Sequence, residues 1–295
     1  MNAREIVAGL GGRWHGNSGL ARCPAHRDAR PSLSLKDGNG GRLLARCFAG
    51  CDFEIVIAAL RQRGIIDDYS RQAGRPEVAH TARETRESDK RNAEAAARIW
   101  RECQPADGSL VVLYLKSRGL NINIPPTLRY HPALPHPSGC TWPAMVAAVA
   151  VWPSREVVGV HRTYLGRDGR GKADVTPVKM MLGRCAGGAV RLGPLGDSLM
   201  VGEGIETCLA AQQATGRAAW AALSTSGLRA LEMPEAIREI IILADGDEPG
   251  ENAAEAAAIR WTHDGHAVRI ARAPQGQDFL DMLNEPGAVA RAVAA

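Results

Sequence analysis

The 295-residue sequence predicts a multidomain protein of mixed α+β and α/β class. Three observations predict it. Cys23, His26, Cys47 and Cys51 flank an insert of alternating apolar residues with a glycine-rich turn, the pattern of a small ribbon. An arginine-rich middle stretch then passes from helical to strand-like periodicity. In the last third, the short apolar runs Leu199 to Val201 and Ile240 to Ala244 each end in carboxylates and glycine and lead into a helix-like stretch, as buried parallel strands do. The expected division is a ribbon over residues 1–66, a linker over 67–92, a basic α+β part over 93–197 and an α/β domain with a mostly parallel sheet over 198–295.

The ribbon follows from its ligand spacing. Cys23 and His26 form one knuckle and Cys47 and Cys51 the other, and zinc takes four such thiolate or imidazole ligands tetrahedrally. Leu33 and Leu35 alternate on an outgoing strand, Gly38 to Gly41 turn, and Leu43 and Leu44 return to the second knuckle. The remaining cysteines, Cys103, Cys140, Cys185 and Cys208, stand alone and read as small apolar residues. After Phe53, the spacing of Ile55, Val56, Ala59 and Leu60 predicts a helix ending near Gly64. Residues 67–92 are polar, charged and nearly without large apolar side chains, which predicts an extended or disordered linker, part of which extends the following helix.

A helix pattern around Ile99 and Trp100 leads into LVVLYLKSRGL. Tyr114 and Leu115 read as core, and Arg118 as either a helix C-terminal cation or a nucleic-acid contact. PPTLRYHPALPHPSG reads as a proline-rich loop carrying His131 and His136. WPAMVAAVAVW and EVVGVHRTYLG read as strands of a hairpin followed by a basic turn.

Open parallel sheets hold ligands outside the carboxyl ends of their strands, so Glu203, Asp245 and Asp247 are expected to converge there. No Lys or Arg lies within either motif, and carboxylates gathered at one point repel unless a divalent cation joins them. Asp247 also suits the N-terminus of a helix with Pro249 in its first turn, a purely structural role.

Charge is unevenly spread behind a net +4. Residues 1–92 carry 16 basic against 11 acidic side chains, residues 93–197 carry 13 against 7, and residues 198–295 carry 7 against 14. A basic first two thirds and an acidic last third suit a chain that holds nucleic acid on one part and metal on another. There is no charged-plus-apolar leader and no apolar run near membrane-spanning length, so a cytoplasmic protein with no membrane partner is expected. GxxxxGK[ST] is absent, so no Walker-type motor is expected within the chain.

Four resemblances give these patterns a common meaning. VGEGIET followed about forty residues later by LADGDEPG resembles the Toprim domain of primases, topoisomerases and OLD-family nucleases. CPAHRDARPSLSL with CFAGCD resembles the N-terminal zinc ribbon of bacterial and phage primases, with three residues inside the last pair where the bacterial type usually has two. YLKSRGL followed by LRYHP resembles the entry to the primase core. Bacterial replicative primases often carry an Asp four residues after the motif Glu, where this chain has Thr207, preceded by Glu206. PQGQDFLDML resembles the acidic segment that closes the primase site and implies Asp278, with Asp281 one step off that spacing.

The resemblance implies a DNA primase, making short RNA primers on single-stranded DNA from ribonucleoside triphosphates. Glu203, Asp245, Asp247 and Asp278 would hold Mg²⁺ or Mn²⁺, and a separate replicative helicase is the implied partner. Lys179, with Arg162 and Lys172 behind it, would contact nucleotide or template. Arg30 would contact phosphates and Phe48 would stack on a base. The EGIET variant resembles primases of prophages and mobile elements. The alternatives are a Toprim-type nuclease and a non-catalytic zinc-ribbon DNA-binding accessory of replication.

Overall fold

The computed structural model describes residues 2–28, 31–38, 43–66 and 78–294, with the backbone alone for 78–86. The chain forms two compact units, Met1–Val78 and Ala79–Ala295.

The first unit is a four-stranded antiparallel sheet between two helices in sequence. Helix α1 (Ala3–Gly9) starts at a capping box in which Asn2 Oδ1 accepts from Glu5 N and Glu5 Oε2 accepts from Asn2 N. Strands β1 (Arg13–His15), β2 (Ser18–Ala21), β3 (Leu33–Asp37) and β4 (Leu43–Cys47) follow in spatial order. β3 and β4 are the expected ribbon hairpin, with Leu33 opposite Cys47 and Leu35 opposite Ala45. Helix α2 (Phe53–Gln62) buries Val56 and Leu60 and gives way at Gly64, whose φ of 65° lies in the left-handed region. Ile6, Val7, Leu33, Leu35, Val56 and Leu60 are the apolar heart of this unit.

The second unit opens with helix α3 (Val78–Glu102). Residues 67–77 of the expected linker lie outside those described, but 78–92 are helical: they are rich in Ala, Glu, Arg and Lys, straight-chain residues that lose little freedom in a helix. An i,i+4 pair, Lys90 and Glu94 at 4.0 Å, lies on this stretch. Strand β5 (Gln104–Pro105) and helix α4 (Leu110–Ser117, capped by Ser109 Oγ on Val111 N) come next.

Strands β6 (Leu128–Pro135), β7 (Thr141–Val151), β8 (Gly159–Tyr164), β9 (Lys179–Gly183) and β10 (Gly188–Arg191) are antiparallel to their partners. β6 corrects the proline-rich-loop expectation. Its ladder shifts register between His131 and Leu134, and this irregularity takes in Pro132, while Pro135 falls at the strand end. His131 falls within β6, whereas His136 lies in the loop after it, as expected, and is buried edge-on against Tyr164 at 4.8 Å between ring centroids.

The last third alternates strand and helix: β11 (Ser198–Gly202), α5 (Ile205–Thr215), β12 (Ala219–Ala221), α6 (Thr225–Ala230), β13 (Glu239–Ala244), α7 (Glu248–His263), β14 (Ala267–Arg272), a 3₁₀ turn over Asp281–Asn284, and α8 (Ala288–Ala294). β12, β11, β13 and β14 run parallel, side by side. β11, β12 and β13 are buried on both faces, as strands covered by helices on each side are, while the edge strand β14 is largely half-buried. Met200, Ile241 and Leu243 face the core of α4, α5 and α8; Leu199, Val201, Ile240 and Ile242 face that of α6 and α7 with Trp220 and Trp261.

The expected break at 197/198 is not a break in packing. β10 pairs with β7 on one side and with β12 on the other, so a single ten-stranded sheet runs from β5 to β14. One apolar cluster joins Val111, Tyr114, Leu115 and Met145 to Met200, Ile205 and Leu209.

Candidate metal and anion site

Glu203 and Asp245 lie just past the carboxyl ends of adjacent parallel strands. Gly202 of β11 is opposite Leu243 of β13, so Glu203 follows its strand directly and Asp245 comes one residue beyond Ala244, both at the edge where such sheets hold ligands. Asp247 caps α7, its Oδ1 accepting from Gly250 N at 2.8 Å, so the structural role that the sequence allowed is real. Only one of its oxygens is used in this way. Gly246 accepts Gly276 N and gives its own N–H to Gln277 O, pinning the loop after β14 to the Asp245–Asp247 turn. A Cβ at Gly246 would lie 2.0 Å from Pro274 O, so only glycine permits this approach.

That loop brings in Asp278. Its Oδ1 accepts from Leu280 N and Asp281 N, while Asp281 Oδ2 accepts from Asp278 N. Asp281 is thus an exposed partner of the loop backbone, and Asp278 is the residue whose charge acts on Asp245.

The electrostatics are those of a site short of positive charge. Burial, then the charges of Asp245 and Asp247, push the Glu203 carboxyl up to about 7. Burial, then Asp278 and Asp247, push Asp245 up to about 6. Glu203 Oε1 is buried without a hydrogen-bond partner in the protein. An all-carboxylate donor set with an orphaned oxygen fits a hard divalent cation. Among the described residues these acids do not close into a compact ligand cluster, whereas Cys23, His26, Cys47 and Cys51 do, with ligand atoms all within 4.8 Å.

The Cys-His-Cys-Cys cluster suits zinc. Tetrahedral zinc with bonds of about 2.0–2.3 Å sets ligands roughly 3.5–3.8 Å apart. His26 Nδ1 is 3.2 Å from Cys51 Sγ and 3.9 Å from Cys47 Sγ. Asp28 braces the cluster: its Oδ1 is 3.7 Å from His26 Nε2, and its Oδ2 accepts from Cys23 N and Ser32 Oγ.

The basic residues expected to touch nucleotide or template divide. Arg162 is buried in β8 and donates to Met181 O at 3.2 Å, so it is spent within the sheet; its place on a strand with both faces covered explains this. Lys179 opens β9 and donates to Glu206 Oε2 at 3.1 Å; Lys172 reaches Glu206 Oε1 at 3.5 Å. Both lysines keep about a third of their side chains in solvent (37% and 34%). Arg118 ends α4, exposed, and its charge reaches Lys172. Phe48 is 57% exposed, with the Arg46 guanidinium 5.8 Å from its ring centroid. Arg30 lies outside the described residues.

Sequence reasoning gave no role to His161, Leu223 and Arg229, and weighed Glu206 only as a stand-in for the acid expected at Thr207. Glu206 is buried in α5; burial alone would raise its carboxyl, but Lys179, Lys172 and the Tyr114 hydroxyl, which donates at 2.7 Å, hold it down to about 2. His161 is buried beside Lys179, and burial followed by that charge holds its imidazole neutral, down to about 4. Leu223, with φ 71°, donates its N–H to Glu203 O and is the one non-glycine residue in the left-handed region among those described. Arg229 of α6 is a cation whose charge Glu203 feels. Only EGIET, with a second acid where a hydrophobic residue would suit a buried helix face, carried a local signal.

Comparison with known proteins supplies the frame. Residues 198–288 match the Toprim domain family, and residues 90–192 match a domain of unknown function (DUF7146). No curated protein matches the chain. Among solved structures it is similar to the Aquifex aeolicus primase, zinc-binding and RNA polymerase domains, at 17% identity over 100% of this chain and 83% of that one, with a TM-score of 0.46. It is similar to a DnaG primase catalytic domain bound to ssDNA at 17% identity, 72% and 82% coverage and a TM-score of 0.46. For the primase fragment of the bacteriophage T7 primase-helicase protein the values are 18%, 52% and 67%, and 0.40.

Proposed function

We propose that this Toprim-domain chain is a DNA primase: a nucleotidyltransferase that joins ribonucleoside triphosphates into short RNA primers on a single-stranded DNA template. The observation that carries the reading is the emergence of Glu203 and Asp245 from adjacent parallel strands, both carboxyls raised by burial and by their acidic neighbours. Such a pair is poised to gain a cation. Glu203, Asp245, Asp247 and Asp278 would hold Mg²⁺ or Mn²⁺, which when bound supplies charge neutralisation at a transferring phosphoryl group.

The protein's own groups do the rest. Lys179 and Lys172, each partly in solvent, offer ammonium donors to a triphosphate or template phosphate beside the carboxylates. Arg118 extends that basic edge. No protein nucleophile is needed, because the attacking group is a nucleotide hydroxyl. In the separate ribbon unit, Phe48 and Arg46 present a ring and a cation on the sheet, a combination that takes an unpaired base and its phosphate. Zinc would hold that unit's two knuckles, and a separate replicative helicase that opens the duplex is the proposed partner. The protein would act on DNA in the cytoplasm, in a host or a mobile-element replication system; among the described residues no helix is long and apolar enough to cross a membrane.

A labelled-product gel tests the reading. With single-stranded DNA, ribonucleotides and Mg²⁺ or Mn²⁺, template-dependent ribonucleotide products are expected. Shortened template strands instead would make the protein a Toprim-type nuclease, and retarded but unchanged DNA would make it a binding accessory.

A further inference from the structure

Glu206 is the only carboxylate among the described residues buried to 5% exposure, and two ammonium groups converge on it. One carboxylate is thereby matched by two cations, so the lysine pair carries a surplus positive charge. The next residue, Thr207, donates to Asp245 Oδ1 at 3.4 Å, which places the Glu206 network against the carboxylate cluster. Asp245 feels the charge of Lys179 directly. The lysine side chains are a third exposed and come from outside α5, whereas Glu206 is buried in α5 and accepts from Tyr114. A lysine released from Glu206 has Asp245 as an available anion, and an internal ammonium there would neutralise a cation ligand.

We propose that Glu206 is a positioning residue: it retains Lys179 and Lys172, and so keeps them from pairing with Asp245 and leaves that carboxylate to a divalent cation. The inference rests on the reading of the carboxylate cluster as a cation site. It explains why the acid stands inside the helix and why its charge is worth burying: an ion pair taken partly out of water adds little stability but fixes where charges sit.

The test is Mn²⁺ binding to the full chain at neutral pH, read from the resonance signal of free Mn²⁺, with circular dichroism to verify folding. Glu206→Gln keeps the shape and the bond from Tyr114, and is expected to weaken Mn²⁺ binding about tenfold. Adding Lys179→Met to it should recover most of that loss. Lys179→Met alone should change affinity less than about threefold, because Glu206 already holds that lysine. A folded Glu206→Gln that binds Mn²⁺ like the wild type overturns the proposal, as does a tenfold gain in Lys179→Met alone, which would mean that the lysine already occupies the acids. Should Glu206→Gln not fold, the Lys179→Met arm decides. If Asp245→Asn binds Mn²⁺ as the wild type does, the cation site itself has been misassigned, and both readings fall together.

Discussion

Gly246 and Pro274 approach so closely that a single added carbon on the glycine would sit 2.0 Å from the proline carbonyl oxygen. This contact sets how near Asp278 comes to Asp245, because the loop between Pro274 and Asp278 is anchored on Gly246 by two backbone hydrogen bonds. Gly246→Ala is therefore expected to cost about 2–4 kcal/mol of stability and to weaken Mn²⁺ binding as well, since the loop must move. Urea unfolding and a Mn²⁺ titration check the two effects.

Asp245→Asn keeps shape and hydrogen-bonding capacity while removing a ligand charge. Nucleotide incorporation should fall about 100-fold or more, with folding and DNA affinity retained. Retention of near-normal synthesis by a folded mutant would place the chemistry elsewhere.

Stability should respond to pH in two opposite ways. Glu203 and Asp245 are raised in the folded chain, to about 7 and about 6, so between roughly pH 4 and pH 7 the folded state holds more protons than the unfolded one and cation-free stability falls as pH rises. Glu206, held down to about 2, contributes stability above its ordinary value, lost as pH falls towards about 2. Thermal melts should therefore show Mg²⁺ raising the melting temperature more at about pH 8 than at about pH 5.

One zinc per chain is expected, lost when Cys47→Ser and Cys51→Ser are combined. Cys47→Ser should unfold the first unit while the sheet of the second stays formed, because the two have separate cores. Such a mutant should initiate synthesis poorly yet extend a pre-annealed primer. Metal analysis, circular dichroism and the two synthesis assays read these outcomes.

Tyr114→Phe removes the donor to Glu206 and leaves the ring in place. A loss of about 1–3 kcal/mol is expected, the range for a hydrogen bond to a buried charged group, measured by equilibrium unfolding.

How far the sequence revealed this site depended on how local each signal was. Glu203 and Asp245 were legible because a short apolar run ends one residue before the first and directly before the second, and the zinc ligands because their spacing is itself the signature. Glu206 was not legible as a lysine clamp: Lys172 and Lys179 are 34 and 27 positions away and Tyr114 is 92 away, meeting only after the strands pair. Arg162 was expected to touch nucleotide or template from the primase resemblance, yet its strand is covered on both faces. Strand β6 was hidden by Pro132 and Pro135, which a register shift and a strand end absorb. The left-handed turn at Leu223 has no glycine to announce it.

The pairing of β10 with both β7 and β12 gives the second unit a seam without a hinge. Cut in the loop between Arg191 and Ser198, each piece would present an open strand edge and half of a shared apolar cluster. Neither half is then an independent folding unit. Co-expressed as fragments they should find one another and rebuild the sheet, much as a split reporter does. The spacing between Lys179 and the carboxylates is accordingly set by hydrogen-bond register, and an inserted residue in β10 would shift it by a whole strand step while leaving every side chain intact.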